Sequence, residues 1–93
     1  MSHSVTFNAE AERYEIFVDG RRAGLTEAHP LPDGTVLFPH TEIDEEFNGQ
    51  GLAGELVSQA LDDVRSQGRK IVAQCPYVAR YVEKHPEYAD LLA

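Results

Sequence analysis

This 93-residue chain lacks several features that mark secreted, membrane-embedded or nucleic-acid-binding proteins. Its single cysteine excludes an internal disulfide, which is compatible with a reducing cytosol. No apolar run approaches the ~20 residues that a membrane-spanning helix needs. The first residues, Met1-Ser2-His3-Ser4, lack the pattern of a signal peptide. From these absences we expect a cytoplasmic protein with no membrane partner.

Positive charge is also scarce in this chain. Eight Lys and Arg residues stand against sixteen Asp and Glu residues, which gives a formal net charge of −8. General binding of nucleic acids depends on a basic face, so we expect no nucleic-acid partner. The same negative charge would attract a cationic amine, although an acidic surface is more often a device for solubility.

The residues that bind metal ions are not grouped in the sequence. His3, His29 and His85 are scattered, no Cys/His spacing resembles a zinc site, and no acidic loop resembles a calcium site. We therefore predict no metal. No Ser-His-Asp arrangement is legible, and the sequence has no nucleophile-elbow motif.

The length and composition indicate one globular domain that covers residues 1–93. Four segments have the pattern of strands, and the turn signals Asp19-Gly20 and Pro30–Gly34 separate the later ones. The simplest arrangement is an antiparallel meander of four strands, with a bulge or an edge position at Pro39, which cannot donate to a ladder. The predicted strands are Val5–Asn8, Tyr14–Val18, Ala23–His29 and Thr35–Ile43.

A helix is predicted from Leu52 onwards, because apolar residues recur at helical spacing as far as Val64. Gly68 is its expected C-cap. The short apolar segment Lys70–Gln74 reads as a strand that lies parallel to Val36–Ile43 through a right-handed crossover. A second helix is expected to begin at Pro76 and to run to about His85.

The segment Asn48–Gly54 contains three glycines between a predicted strand and a predicted helix. Glycines let the backbone turn sharply, and a helix start adds unpaired N–H donors, so the segment could hold a phosphate. Neither a P-loop nor the complete dinucleotide fingerprint fits these residues. The alternative is that the glycines only break the strand and relieve crowding against a sheet.

The same segment resembles motif A of the GCN5-related N-acetyltransferases, Arg/Gln-x-x-Gly-x-Gly/Ala. Residues 48–53 match this motif except at Asn48, which replaces Arg or Gln. The chain looks most like the minimal, single-domain YjdJ-like branch of that family. The resemblance extends over His40-Thr41-Glu42-Ile43, Gln74-Cys75-Pro76-Tyr77-Val78 and His85-Pro86-Glu87-Tyr88.

The resemblance implies a compact α/β (α+β) fold with antiparallel N-terminal strands, a β-α-β crossover and a C-terminal helix. It implies acetyl-coenzyme A (acetyl-CoA) as cofactor. The resemblance places acetyl-CoA in a cleft where the strand Val36–Ile43 splays from the strand Ile71–Gln74. It places the pyrophosphate of acetyl-CoA on the backbone of Gly49–Gly54. The implied cofactor-binding residues are Ile43, Asn48, Gly49, Gln50, Gly51, Leu52, Ala53, Gly54 and Tyr77. Because coenzyme A is polyanionic and the chain is acidic, a few cations must help to hold it. The candidates are Arg69, Lys70, Arg80 and Lys84.

Three residues are candidates for catalysis. Cys75 precedes a helix whose dipole favours a thiolate, and the resemblance places it near the acetyl thioester; the alternative is a small buried hydrophobe. His40 has the acid–base range to deprotonate an amine, and Glu42 or Asp44 could orient it; the alternative is an imidazole on a strand that is hydrogen-bonded to a neighbour. Tyr81, or Tyr77, could protonate the departing thiolate, although core packing is the commoner role of tyrosine.

These features lead to one main hypothesis and two alternatives. The main hypothesis is an acetyl-CoA-dependent N-acetyltransferase that acts on a small-molecule or peptide amine, either directly or through Cys75. The first alternative is a domain that binds coenzyme A or acyl-CoA with little or no acetyltransferase activity. The second is a small protein–protein interaction domain whose glycines are purely structural.

Overall fold

The computed structural model describes residues 2–93, in which two small sheets and two helices enclose one apolar core. Two short 3₁₀ helices, Glu45–Phe47 and Pro86–Leu91, complete the secondary structure. The expected order of antiparallel strands, crossover and C-terminal helix is present. The strands are β1 (His3–Asn8), β2 (Arg13–Val18), β3 (Arg21–Glu27), β4 (His29–Pro30), β5 (Val36–Leu37), β6 (Thr41–Ile43) and β7 (Ile71–Val72), and the helices are α1 (Leu52–Ser66) and α2 (Pro76–Lys84).

The first sheet is antiparallel, with the strand order β1-β2-β3-β6. The predicted turn at Asp19-Gly20 joins β2 to β3, and both residues have positive φ, as a two-residue hairpin loop of the type I′ class requires. Gly24 allows the last pair of strands to approach closely. A Cβ at Gly24 would lie 2.5 Å from Cδ1 of Ile43 and 2.6 Å from the carbonyl oxygen of Glu42.

The prediction of one strand over Thr35–Ile43 was wrong. The segment forms β5, then an interruption at residues 38–40, and then β6 in the other sheet. Pro39 lies at the interruption because it has no N–H for a ladder, so neither a simple bulge nor an edge position describes it. The four-stranded meander is therefore wrong in its last step, since β6 pairs with β3 after the chain has passed through β4 and β5.

The prediction of a returning strand over Ala23–His29 was also too simple. This strand ends at Glu27, and the following short strand β4 pairs with β5 in the second sheet. The change of sheet at Ala28 and the change at Pro39 have the same consequence. Each change lets one stretch of extended chain contribute a strand to both sheets.

The second sheet has the strand order β4-β5-β7 and contains the predicted parallel pair. Val36 pairs with Ile71 and Leu37 pairs with Val72 across the connection that contains α1. The strand predicted over Lys70–Gln74 is shorter than expected, because only two of its residues are paired as a strand. At the C-terminus, Leu92 forms a parallel bridge with Ile71 on the other side of β7.

The central helix α1 packs one apolar face into the core. Its buried residues are Leu52, Leu56, Val57, Ala60, Leu61 and Val64. Gly68 ends the helix as predicted, with a φ of +70°. The N–H of Gly68 donates to the carbonyl of Arg65 at 3.0 Å, and that of Arg69 donates to the carbonyl of Val64 at 3.3 Å. This pair of bonds is the Schellman motif, which satisfies the last carbonyls of a helix.

The second helix, α2, begins with Pro76 in its first turn, as predicted. It ends at Lys84, one residue before the expected His85, and the 3₁₀ helix from Pro86 follows. No helix within residues 2–93 is both long enough and apolar enough to cross a membrane.

Candidate functional site

The turn that leads into α1 is built on two glycines in left-handed conformation. Gly49 has a φ of +82° and Gly51 a φ of +72°. A Cβ at either position would meet no atom within 4 Å, so crowding does not explain these glycines. Their backbone conformation does, because other residues adopt positive φ only at a cost. Phe47, which is buried, anchors the chain just before the turn.

The N-terminus of α1 has open hydrogen-bond donors. Gly51 is its N-cap, and no side chain of residues 2–93 caps the helix. The N–H of Glu55 donates to the carbonyl of Gly51 at 3.3 Å, which is the first bond of the helical ladder. The amides of Leu52, Ala53 and Gly54 precede that bond and point out of the helix end. This end also carries the positive pole of the helix dipole, so the donors and the dipole both favour an anion.

A cleft of about 500 Å³ opens between this helix end and α2. Its volume lies within the range of small-molecule binding sites. Each helix contributes residues at spacings of three and four, which share one helical face. The lining residues are Gly51, Gly54, Glu55, Ser58, Tyr77, Arg80, Tyr81, Lys84 and His85.

Aromatic rings form the α2 side of the cleft. The ring centroids of Tyr77 and Tyr81 lie 6.4 Å apart, and those of Tyr81 and His85 lie 4.0 Å apart, both in stacked geometry. Nδ1 of His85 donates to the carbonyl of Tyr81 at 2.9 Å, which fixes the imidazole against the phenol ring. Burial, and then the neighbouring Tyr81, raises the pKa of Tyr77, so its phenol stays protonated near neutral pH.

Gly54 is the point at which α1 comes closest to this aromatic wall. A Cβ at Gly54 would lie 3.6 Å from the hydroxyl oxygen of Tyr77 and 3.8 Å from Cε2 of Tyr81, which is ordinary van der Waals contact. Gly54 lies inside the helix, where glycine is destabilising by roughly 1 kcal/mol relative to alanine. The absence of a side chain at Gly54 therefore keeps the cleft open at a cost in helix stability.

Charges of both signs reach the cleft. Arg80 and Lys84 supply positive charge from α2. Glu55 supplies negative charge from α1, but its Oε1 lies 2.8 Å from Nδ1 of His3 and its Oε2 lies 3.4 Å from Nε2 of Gln59. These two contacts hold the Glu55 carboxylate, which forms no ion pair with Arg80 or Lys84.

Cys75 does not line the cleft. It is the N-cap residue of α2 and is 3% exposed. The N–H of Cys75 donates to the carbonyl of Phe38 at 2.7 Å. In a regular parallel ladder the amide of Gln74 would make this bond. One extra residue is therefore inserted after β7. Its Sγ lies 3.5 Å from Oγ1 of Thr41. The thiol is thus buried at the point where β5 and β6 part.

His40 lies on the opposite side of that point. Side chains alternate along β6, and Thr41 faces inward to Cys75, so His40 and Glu42 face outward. The His40 side chain is 52% exposed, and its Nε2 lies 3.1 Å from Oε2 of Glu42. The pairing of His40 with a carboxylate is therefore present, whereas the structure does not bring His40 and Cys75 together.

The other predicted site residues fall into two groups. Gly51, Gly54, Tyr77 and Tyr81 line the cleft. Asn48, Gly49 and Gln50 are exposed in the turn, the side chain of Leu52 is buried, and Ala53 and Ile43 are half-buried. In these positions Leu52 and Ala53 can contribute main-chain donors, and Ile43 packs against the core at the end of β6.

The structure also sorts the four predicted phosphate-binding cations. Arg80 and Lys84 line the cleft, whereas Nε of Arg69 donates to the carbonyl of Gly34 at 2.8 Å and Nζ of Lys70 donates to that of Asp90 at 2.6 Å.

Sequence reasoning missed the cleft residues Glu55, Ser58 and His85. The signal for them was helical spacing, because Ser58 is four residues after Gly54 and His85 is four after Tyr81. Within residues 2–93, no group of three or more His, Cys, Asp or Glu side chains is arranged to hold a metal ion.

Comparisons with solved structures identify the fold. The NMR solution structure of a GCN5-like protein from Staphylococcus aureus superposes with a TM-score of 0.73 at 19% identity, over 97% of this chain and 87% of that one. Ribosomal-protein-alanine N-acetyltransferase from Brucella melitensis superposes with a TM-score of 0.56 at 22% identity, over 87% of this chain and 60% of that one. These likenesses show the fold, and they confirm the α/β arrangement expected from the resemblance.

Sequence comparisons give relatives and a family. Protein NATD1 of Xenopus tropicalis is 36% identical over 52 residues, which cover 56% of this chain and 48% of that protein. Protein NATD1 of Danio rerio is 33% identical over 58 residues, which cover 60% and 53%. The chain thus spans about half the length of these relatives. The family model described as GCN5-related N-acetyl-transferase matches residues 13–91. Because this match covers most of the sequence, the chain belongs to the GCN5-related N-acetyltransferase family.

Proposed function

We propose that this chain is an acetyl-CoA-dependent N-acetyltransferase that transfers an acetyl group to an amine, with the pyrophosphate held by the backbone of Gly49–Gly54. The observation that carries the proposal is the uncapped N-terminus of α1, which opens on a cleft that also contains Arg80 and Lys84. Family membership supports the reaction class.

The donors at this helix end fit a diphosphate. A diphosphate diester carries negative charge and only acceptor atoms, and the helix end offers main-chain N–H groups and the positive pole of the helix dipole. The left-handed turn at Gly49 and Gly51 leaves no Cβ in front of these donors. The chemistry of the donor set therefore matches the cofactor of the family.

The residues around the cleft have separate tasks in this proposal. When bound, acetyl-CoA supplies an activated acyl group as a thioester. The phenol of Tyr81 or Tyr77 holds a proton at its Oη for the departing thiolate. His40, exposed and paired with Glu42, accepts the proton of an amine that approaches from solvent.

The burial of Cys75 supports direct transfer over a route through an acetyl-cysteine. At 3% exposure the thiol is shielded from both substrates. Cys75→Ala separates the routes, because a small buried thiol can be replaced at modest cost to packing. Direct transfer predicts turnover within about two- to threefold of the parent protein. Loss of turnover in a variant that still folds and binds coenzyme A would establish the cysteine route.

The acceptor in this proposal is a cationic small molecule or a basic peptide that carries an amine. The formal net charge of −8 attracts cations towards the surface at long range. Once the amine is deprotonated, proximity to the bound thioester lowers the entropic part of the barrier. Mass detection of acetylated products over a pool of amines would identify the acceptor class.

The test of the pyrophosphate site uses calorimetry with coenzyme A on the full chain and on two variants at Gly54. Glu and Gln have nearly the same volume, and a helix tolerates both at this position. Gly54→Glu should weaken binding at least tenfold more than Gly54→Gln, because only Glu repels phosphate. Equal affinities for the two variants would contradict the assignment.

An assay of thiol release from acetyl-CoA addresses the alternative of a pure binding domain. A domain that only binds coenzyme A or acyl-CoA is stabilised by the ligand but releases no thiol from acetyl-CoA when amines are added. An interaction domain with purely structural glycines shows neither effect. Amine-dependent release of thiol is the result that supports the acetyltransferase.

A further inference from the structure

The eight basic side chains of this acidic protein divide sharply by their contacts. Arg13, Arg21 and Arg22 pair with carboxylates of Glu15 or Glu46, Arg65 pairs with Asp90, and Arg69 and Lys70 donate to main-chain carbonyls. Within the part of the chain that the structure describes, only Arg80 and Lys84 make no hydrogen bond or ion pair. Both of these side chains line the cleft.

The placement of these two cations is unfavourable without a ligand. Arg80 and Lys84 lie four residues apart on α2, so their like charges face each other one helical turn apart. Sixteen acidic residues are available in the chain, yet the Glu55 carboxylate that reaches this cleft is held by His3 and Gln59. An anionic group between the two cations would remove their repulsion and satisfy both.

The diphosphate site alone does not account for this pair. The open amides of α1 form one wall of the cleft, and Arg80 and Lys84 project from α2, which forms the other. A ligand with a second anionic group apart from its diphosphate would provide partners for both walls. A phosphate monoester suits two adjacent cations, because it concentrates close to two negative charges on one phosphate group at neutral pH.

We infer that Arg80 and Lys84 bind a terminal phosphate monoester and make the site selective for the 3′-phosphorylated form of coenzyme A. This inference rests on the proposed function and adds the residues that set cofactor specificity. The two side chains are specificity determinants, since they contact a part of the ligand that is remote from the acetyl group. A ligand that lacks the monoester but keeps the diphosphate should then bind more weakly.

The test compares coenzyme A with 3′-dephospho-coenzyme A, which lacks only that phosphate, by calorimetry on the full chain. The parent protein should bind coenzyme A about tenfold or more tightly than the dephospho form, as charge-assisted contacts to phosphate imply. In the double variant Arg80→Gln/Lys84→Gln the ratio of the two affinities should fall to within about twofold of one. Both substitutions are at exposed positions, and glutamine is a good helix former, so the variant should fold.

The matched control is Arg22→Gln/Lys70→Gln, which removes the same charge from exposed sites outside the cleft. It should lower both affinities slightly through the overall field and leave their ratio unchanged. Equal binding of the two ligands by the parent protein, or a ratio that survives in the Arg80/Lys84 variant, would overturn the inference and leave the diphosphate site standing. If neither ligand binds the parent protein, the proposed function fails together with the inference.

Discussion

The two ends of α1 are finished in opposite ways. Its C-terminus ends in a Schellman motif at Gly68, where main-chain N–H groups satisfy the last carbonyls. Its N-terminus begins at Gly51, where no side chain of residues 2–93 caps the first donors. Both ends have a glycine in left-handed conformation, with a φ of +70° at Gly68 and +72° at Gly51. The backbone conformation of these glycines is therefore similar, and the hydrogen bonding differs.

The C-terminal half of α1 is also fastened by side chains. The hydroxyl of Tyr14 donates to Asp63 at 2.6 Å, and that of Tyr88 donates to Asp62 at 2.8 Å. Arg65 donates to both carboxylate oxygens of Asp90. Tyr14 comes from β2 and the others from the C-terminal 3₁₀ helix, so this end ties the first sheet, the helix and the C-terminus together.

The difference separates a helix end that is stabilised by hydrogen bonds from one that is left less stable. The C-terminal end of α1, the closed end, has hydrogen-bonded carbonyls and three side-chain contacts, two hydrogen bonds and one ion pair, which stabilise the fold. The open end keeps its donors unpaired and places Gly54 where alanine would be more stable, as a binding site requires. The following predictions test whether one end of α1 serves stability and the other serves binding, from the largest expected effect to the smallest.

The largest contrast is expected between Gly51→Ala and Gly68→Ala. Both substitutions place a Cβ in a left-handed conformation with no atom within 4 Å, so each should lower the free energy of unfolding by about 1–2 kcal/mol. Only Gly51→Ala should also weaken coenzyme A binding, by about tenfold, because it disturbs the direction of the open donors. Denaturant unfolding and calorimetry on both variants measure the two effects. Equal loss of affinity in the two variants would break the comparison.

Tyr14→Phe should affect stability without affecting the open end. Tyr14 is 5% exposed, and its hydroxyl is a partner of the Asp63 carboxylate. Removing it should lower the free energy of unfolding by about 1–2 kcal/mol, because a buried hydrogen bond to a charged group is lost. Affinity for coenzyme A should remain within twofold. The control is Tyr77→Phe, which should matter little to stability because Tyr77 is an exposed residue.

Alkaline pH should loosen the closed end of the helix. Burial, and then the hydrogen bond to Asp63, raises the pKa of Tyr14, and burial, and then the hydrogen bond to Asp62, raises that of Tyr88 to about 12. A raised pKa means that the fold favours the protonated phenol, so the stability is present below pH 10 and is lost as the pH rises towards 12. Chemical unfolding at pH 8 and pH 11 should show this loss. The double variant Tyr14→Phe/Tyr88→Phe should show much less of it.

The smallest effect is expected at His29, whose hydrogen-bond partners Glu12 and Glu27 both lie outside α1. Hydrogen bonds to Glu12 first, and then to Glu27, raise the pKa of His29. Its contribution to stability is complete below pH 6.5 and is lost as the pH rises through the value in the folded protein. Because the site is near the surface, the melting temperature should fall by only about 1–2 °C between pH 5.5 and pH 8.5. His29→Gln should abolish the dependence, and an unchanged pH profile would show that the imidazole is not the source.

Local patterns in the sequence predicted the parts of the fold that depend on local chemistry. The spacing of apolar residues located α1, Gly68 marked its end, Asp19-Gly20 gave the hairpin, and Pro76 marked the start of α2. Each of these signals acts within a few residues, through backbone conformation or helical periodicity. The parallel orientation of β5 and β7 followed from the strand–helix–strand order.

What the sequence could not supply depends on contacts between distant segments. The division of Thr35–Ile43 into β5 and β6 is decided by their partners, β7 and β3, and not by the segment itself. The sequence also could not show which cations line the cleft, because nothing in the sequence distinguishes Arg69 from Arg80. The carbonyl of Gly34 fixes Arg69 away from the cleft. The separation of His40 from Cys75 likewise required knowing which face of β6 meets α2.

The most direct test of the account is an amide NMR titration of the full chain with coenzyme A. The account predicts saturable shifts concentrated at the amides of Gly49 to Gly54, with the amides of Gly68 and Arg69, already bonded at the other end of the same helix, almost unmoved. Shifts spread evenly over both ends, or an N-terminal group of amides that does not respond to saturating ligand, would contradict it.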